Sequence, residues 1–292
     1  MRSFAGPSVA GRKVLITGAA RGIGAALARR LAERGAHVAL LGIEPDLLAE
    51  VAAECGGVPW RYCDVGDRAQ VERVVAALVG ELGGLDVLVA NAGIAKQMAM
   101  IGGDLSVLEE TLAVNVLGVA YAVSAAGPHL SHARGYVLMM SSFSASVQLP
   151  LGGAYSASAA AVASLSATLR AELRSTGAKV GVSYFAGIDT EMTVRGFGTA
   201  AAHTVLGDTS LTGNAPIGPA IAALERAIAR RRATVVSPWW VVLVRPFRPV
   251  AQLVVQRLHG DRVARAVEIA RTEDAPFTTE QPARPRTMER QA

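Results

Sequence analysis

The chain has 292 residues, of which 51% are hydrophobic and 18% charged, and it carries a net charge of +5 at neutral pH. That balance supports a sizeable buried core and excludes a wholly disordered chain, leaving disorder to the ends. The positive charge is spread over helix faces and the carboxyl-terminal third without an aromatic-interleaved basic stripe, so nucleic acid is not an expected partner.

No stretch reads as the run of about 20 uncharged apolar residues that a spanning helix needs. The opening MRSFAGPSVAGRK lacks the apolar core of a secretory signal, so a cytoplasmic location is expected. Cys55 and Cys63 lack metal-ligand spacing and are read as reduced, buried thiols, and no metal site is expected.

In chain order, a short apolar run at 13–17 predicts a strand, followed by a glycine-rich turn and a helix over 23–34. Strands at 38–41 and 60–63 lead into helices over 45–54 and 68–82. A strand at 85–90 precedes a long helix over roughly 105–126, and strands at 136–140 and 180–184 precede helices over 153–175 and 216–232. A last strand is expected at 234–236. The strands are short, rich in branched or apolar residues and bounded by turn formers. Strand and helix in alternation predict an α/β fold, a doubly wound parallel sheet with helices on both faces. No repeat or low-complexity linker divides the chain. Residues 1–12 read as an amino-terminal arm, 13–271 as a single domain, and 272–292, polar and proline-rich, as an extended or disordered tail.

After the first strand comes TGAARGIG, Thr17 to Gly24. Glycines at 18, 22 and 24 allow a tight turn and a close approach to a pyrophosphate, met by amides at the next helix's amino terminus. The spacing Gly-x-x-x-Gly-x-Gly resembles the short-chain dehydrogenase/reductase family. CDVGD at Cys63–Asp67, ANAGI at Ala90–Ile94, VNVLG at Val114–Gly118, Ser141–Ser142 and YSAS at Tyr155–Ser158 follow in that family's order. The resemblance spans about residues 10–270 and implies a single-domain Rossmann-like fold binding NAD or NADP.

It also implies residue roles. Gly18, Ala20, Arg21, Gly22, Ile23 and Gly24 would form the pyrophosphate turn. Asp64 and Val65 would flank the adenine. Asn91, Ala92 and Gly93 would support the cofactor near the sheet centre, and Ile188 and Thr190 would contact the carboxamide. The family's catalytic tetrad is asparagine, serine, tyrosine and lysine. Asn115 falls inside a long helix, where asparagine is a poor helix former unless its side chain is used. Ser142 lies thirteen residues before Tyr155 and would bond the substrate oxygen, with Ser141 as its rival. Tyr155 would be the acid/base.

The fourth position holds Ala159. A free tyrosine has a pKa of about 10, and the family's lysine, one turn further along the helix, favours the phenolate and holds the nicotinamide ribose. Three accounts of Ala159 stand side by side: an introduced replacement, a natural slow reductase using Tyr155 as a neutral acid, or a chain that binds cofactor without hydride transfer. Lys96, after the NAG turn, reads as a surface lysine.

After the second strand, ALLGIEP puts Gly42 at the family's usual aspartate position and Glu44 two residues later. Glu44 would bind the adenosine ribose and repel a 2′-phosphate, whereas Arg21 would attract one; the balance leans to NAD. Phe185 and Ala186 replace the family's proline-glycine pair. Residues 195–214, rich in glycine, alanine and threonine, suit a mobile lid. Residues 237–258 pair tryptophans with apolar positions and arginines, which fits either peripheral membrane contact or a packing surface, and two prolines interrupt the helical pattern. The expected function is oxidation or reduction between a lipophilic secondary alcohol and a ketone. A non-catalytic dinucleotide-binding protein or partner subunit is the alternative. A homodimer or homotetramer through the helices at 105–126 and 153–175 is expected.

Overall fold

Neighbouring residues of a strand face opposite sides of a sheet, so strands apolar at every position call for a cover on both faces. The computed structural model, which describes residues 8–206, 214–258, 260–273 and 275–283, has that arrangement. Seven strands, β1 (Lys13–Thr17), β2 (His37–Gly42), β3 (Trp60–Tyr62), β4 (Val87–Ala90), β5 (Tyr136–Ser142), β6 (Lys179–Phe185) and β7 (Thr234–Ser237), form one sheet in the order β3-β2-β1-β4-β5-β6-β7. All six pairings are parallel. Residues 1–7, 207–213 and 284–292, parts of the expected arm, lid and tail, lie outside the described residues.

The two faces divide by alternation. Val14, Ile16, Val38 and Leu40 pack beneath α1 (Gly22–Glu33), α2 (Pro45–Glu54) and α8 (Ile217–Arg230). Leu15, Ala39, Leu41 and Leu88 pack beneath α3 (Arg68–Leu82), α5 (Gly118–Leu130) and α6 (Gly153–Glu172). The chain winds outward from β1 in one direction and from β4 in the other. The crevice between the carboxyl ends of these two strands is where such sheets hold ligands.

Four expectations need correction. The strands β5 and β6 run on to Ser142 and Phe185, whose residues pair with each other, so the site serine is the last residue of a strand. The helix expected at 105–126 is α4 (Ser106–Leu112), a π-helical turn at Ala113–Leu117 and α5, reaching fully buried Leu130. This Ser106–Leu130 stretch is long and apolar enough, by length and composition, to cross a membrane, contrary to the expectation that none is. Here Val119, Ala122, Ala126 and Leu130 pack it into the core under the sheet.

The fourth correction concerns 237–258. Its prolines do not break the helical course, because Pro246 sits in a 3-10 turn (Arg245–Phe247) and Pro249 in the first turn of α10 (Arg248–Leu258), where a missing amide N–H is tolerated. A short α9 (Val241–Val244) precedes them, and α11 (Gly260–Thr272), unexpected from the sequence, packs against α7 (Ala200–Leu206). At 275–283 the tail has neither helix nor strand but is anchored, since Thr278 Oγ1 exchanges hydrogen bonds with the backbone of Ala95.

Candidate active site

The turn between β1 and α1 is held by Asn91, the first residue after β4. Its Nδ2 donates to the carbonyls of Thr17 and Gly18 at 3.0 and 3.1 Å, and its own N–H, like that of Ala92, donates to Thr17 Oγ1 at 2.9 Å. The two central strands are thereby clasped at their carboxyl ends. Gly18 has φ +63°, and a Cβ there would lie 2.7 Å from Ala92 Cα. Gly24 departs from its expected role: it does not line the cleft, and a Cβ on it would lie 2.2 Å from the Gly18 carbonyl oxygen. It lets the helix pack on the turn, while Gly18 and Gly22 face the cleft. No side chain caps the start of α1 and no acid sits in its first turn, so its first amides are available to an anion.

One cleft of about 700 Å³ runs along the carboxyl ends of the strands and gathers every other expected site residue. At one end stand Asp64, whose carboxylate accepts from Gly66 N at 2.8 Å, and Val65, against which α5 packs closely because residue 118 is glycine. Arg21 and Glu44, read from the sequence as rivals for the ribose, bind each other at 2.6 Å. Arg21 also reaches Glu191 at 2.7 Å, on the loop after β6. The guanidinium is held charged, with its pKa raised: burial opposes this and the two carboxylates outweigh it.

Asn115 sits in the π-helical turn, the kind of helix defect that turns a side chain out of the usual register. Its Oδ1 accepts from Ile94 N at 2.8 Å, and its Nδ2 donates to Ile94 O at 2.9 Å and to Ser158 Oγ at 3.1 Å. Ser158 in turn donates to the Tyr155 carbonyl at 2.8 Å. Asn115 therefore ties the loop after β4 to α6. Of the two serines, Ser141 donates to the carbonyl of Ala159 at 2.8 Å, whereas Ser142 Oγ donates to Phe185 O and bonds Ser144, and it opens onto the same cleft as Tyr155.

Tyr155 is half-buried, its ring edge-on to Phe197 at 5.4 Å. Burial pushes the phenol's pKa above its usual value, and the hydrogen bond with Ser142 pulls it only part of the way back. Ala159, 5% exposed, opens onto the same cleft. Lys96 is directed elsewhere, its ammonium 5.3 Å from the Phe277 ring centre.

Beyond β6, the amide of Ala186 donates to Ser237 O at 2.9 Å, so the loop that lacks the usual proline-glycine pair is pinned to β7. Ile188 pairs with Ala215, and Thr190 faces the cleft beside it. In the expected lid, residues 200–206 are the packed helix α7, whose first amides at Ala200 and Ala201 donate to the Glu273 carboxylate at 2.7 and 3.1 Å. The sequence did not point to Phe197, to Gln97 and Thr199, whose side chains hydrogen-bond each other, or to Thr278 from the tail. Only the apolar Phe197 within a glycine-rich stretch carried any signal.

With the parallel sheet, the asparagine-clasped glycine turn and the cleft in place, the sequence over residues 12–200 matches the family model of the short chain dehydrogenases. The chain belongs to the short-chain dehydrogenase family. An uncharacterized oxidoreductase of Mycobacterium tuberculosis is 32% identical over 254 residues, 83% of this chain and 92% of that one. A D-threitol dehydrogenase of Mycolicibacterium smegmatis is 35% identical over 58% of this chain and 67% of its own. Among solved structures, a short-chain dehydrogenase/reductase of Burkholderia phymatum in complex with NAD superposes with a TM-score of 0.74 at 25% identity, covering 85% of this chain and 96% of that one. An alcohol dehydrogenase of Thermococcus sibiricus complexed with 5-hydroxy-NADP gives 0.65 at 26% identity, covering 74% of this chain and 90% of that one.

Proposed function

We propose that this short-chain dehydrogenase uses NAD or NADP to interconvert a secondary alcohol and a ketone. The observation that carries the reading is that Tyr155, Ser142 and the glycine-rich turn all line one cleft at the carboxyl ends of the strands. The residues fit a dinucleotide: the Gly18 backbone is shaped by the Asn91 clasp, and the uncapped first turn of α1 meets a pyrophosphate. Ala20, Arg21, Gly22 and Ile23 would hold it there, Asp64 and Val65 would flank the adenine, and Ile188 and Thr190 the carboxamide. When bound there, a nicotinamide dinucleotide would supply or take the hydride.

In the reductive direction, Ser142 donates a hydrogen bond to the carbonyl oxygen and Tyr155 gives that oxygen the phenolic proton. Burial keeps the phenol protonated, which suits an acid. In the oxidative direction Tyr155 must take a proton as phenolate, and that form is scarce. A lysine ammonium about 5 Å away at an effective dielectric near 20 would be worth roughly 3 kcal/mol, or about two pKa units, and Ala159 offers none. Carbonyl reduction is therefore the faster direction at neutral pH. Val147, Leu149, Val162, Phe197, Val205 and Val255 along the cleft favour a lipophilic carbonyl compound. NAD is preferred, because Glu44 repels a 2′-phosphate and already shares Arg21 with Glu191. Assembly as a dimer or tetramer through α4–α5 and α6 accords with exposed Leu117 and Leu165.

Ala159 favours a second reading, a dinucleotide-binding protein without hydride transfer. The two separate on NADH and NADPH oxidation with a panel of lipophilic ketones, run beside Tyr155→Phe. The enzyme reading expects saturable turnover that Tyr155→Phe abolishes. Dinucleotide binding without turnover, unchanged by Tyr155→Phe, would establish the second reading.

A further inference from the structure

The segment from Trp239 to Val254 carries seven of the fifteen exposed large hydrophobic side chains among the described residues. They are not scattered. Trp239, Leu243, Phe247, Val250 and Val254 follow one another at spacings of four, four, three and four residues, and the backbone is helical through most of that stretch. Such spacing puts them along one side. Trp239 and Phe247 are 73% and 67% exposed, too much for side chains serving only to pack against their own domain. The opposite side holds the segment to the body: Val241 and Val255 are buried, and the Arg245 guanidinium lies 3.4 Å from the centre of the Tyr184 ring.

The charges select the occupant. Residues 237–258 contain three arginines and no aspartate or glutamate; Arg248 and Arg257 are exposed, and the helical spacing sets Arg257 beside Val250 and Val254 of the apolar stripe. A second copy docked symmetrically would set this stripe against itself, arginine facing arginine with no carboxylate from the segment to offset them. An anionic lipid surface supplies both partners, acyl chains for the stripe and phosphates for the guanidinium groups. The eleven-residue α10 is too short to span a bilayer, so the segment would lie in the plane of the interface.

The stripe also adjoins the cleft. Val255 lines the cleft from the same helix, and Gln252 exchanges hydrogen bonds with Gln148 at 2.7 and 3.2 Å, next to Leu149, which lines the cleft and is 40% exposed. We propose that the face formed by residues 239–254 seats this protein on an anionic membrane surface, with one rim of the cleft at the lipid boundary. This stands apart from the reaction proposed above, and its test needs no turnover.

The full chain is floated on a density gradient with vesicles of phosphatidylglycerol and phosphatidylcholine in equal parts, and with vesicles of phosphatidylcholine alone. Recovery with the mixed vesicles should exceed that with phosphatidylcholine by about tenfold and fall with added salt. The double variant Leu243→Glu/Phe247→Glu should stay at the bottom of the gradient while unfolding at the parent's temperature. Arg248→Gln/Arg257→Gln, which keeps the stripe, should lose the preference for mixed vesicles. The proposal is overturned if the parent floats with neither vesicle, or if the glutamate variant floats as well as the parent. It is also overturned if that variant's chief effect is a smaller sedimenting mass, which would make the face a contact between copies.

Discussion

The β1–β4 side of the cleft and its α6 side are made of different materials. Around β1 and β4 the site is backbone: a glycine turn, the uncapped start of α1, and a clasp in which Asn91 Nδ2 reaches two carbonyls. Around α6 it is side chains: Tyr155, Ser142 and the vacancy of charge at Ala159. A backbone site depends on residues being small or hydrogen-bonded, and many packing contacts enforce it together. A side-chain site depends on one charge at one distance, so a single substitution can remove its main electrostatic element and leave the fold as it was.

Substitutions on the backbone side should break the site outright. Gly24→Val would place branched carbon where a Cβ already lies 2.2 Å from Gly18 O, so the turn must move, and dinucleotide affinity should fall by roughly a thousandfold, about 4 kcal/mol, in a titration followed by calorimetry. Asn115 bridges the two sides. Asn115→Ala strips the partners from the buried N–H and C=O of Ile94 and should cost about 3 kcal/mol, seen as a fall in Tm of about 5 °C.

A smaller effect is expected where charges are partly exposed. Glu44→Gln releases Arg21 toward a phosphate and should improve NADPH binding relative to NADH by about five- to tenfold, roughly 1 kcal/mol, measured by competitive titration. Least of all should be seen at Cys63. Burial first, then Asp64 and Asp67, push its thiol up to about 12, so iodoacetamide at pH 8 should leave it unmodified in the folded chain.

The fold was legible where the sequence carried its own punctuation. The helix α3 begins and ends as read because Asp67 caps it, accepting from Gln70 N at 3.0 Å, and Gly83 closes it in the left-handed conformation. The helix α2 begins at Pro45, a residue suited to a first turn. The segment from 237 to 272 was not legible, since Pro246 and Pro249 read as breaks until their place in the first turn of each helix is known. The site was legible wherever a motif names a residue. Phe197, Thr278 and the Arg21–Glu44–Glu191 cluster were not, because they are brought together by tertiary packing across 23 to 183 positions of chain and leave no local pattern.

The central claim is that Tyr155 works as a half-buried neutral acid that lacks a cationic neighbour. The direct test is the pH–rate profile of alcohol oxidation for this chain and for Ala159→Lys, with the same alcohol and dinucleotide. Burial raises the phenol's pKa, so phenolate is scarce at neutral pH, and the rate of the parent should keep climbing with pH beyond about 10 without a plateau. The lysine variant should level off about two pH units lower and gain on the order of a hundredfold in rate at pH 7. Superimposable profiles with no gain would contradict the claim and show that the phenolate of Tyr155 does not limit this chain.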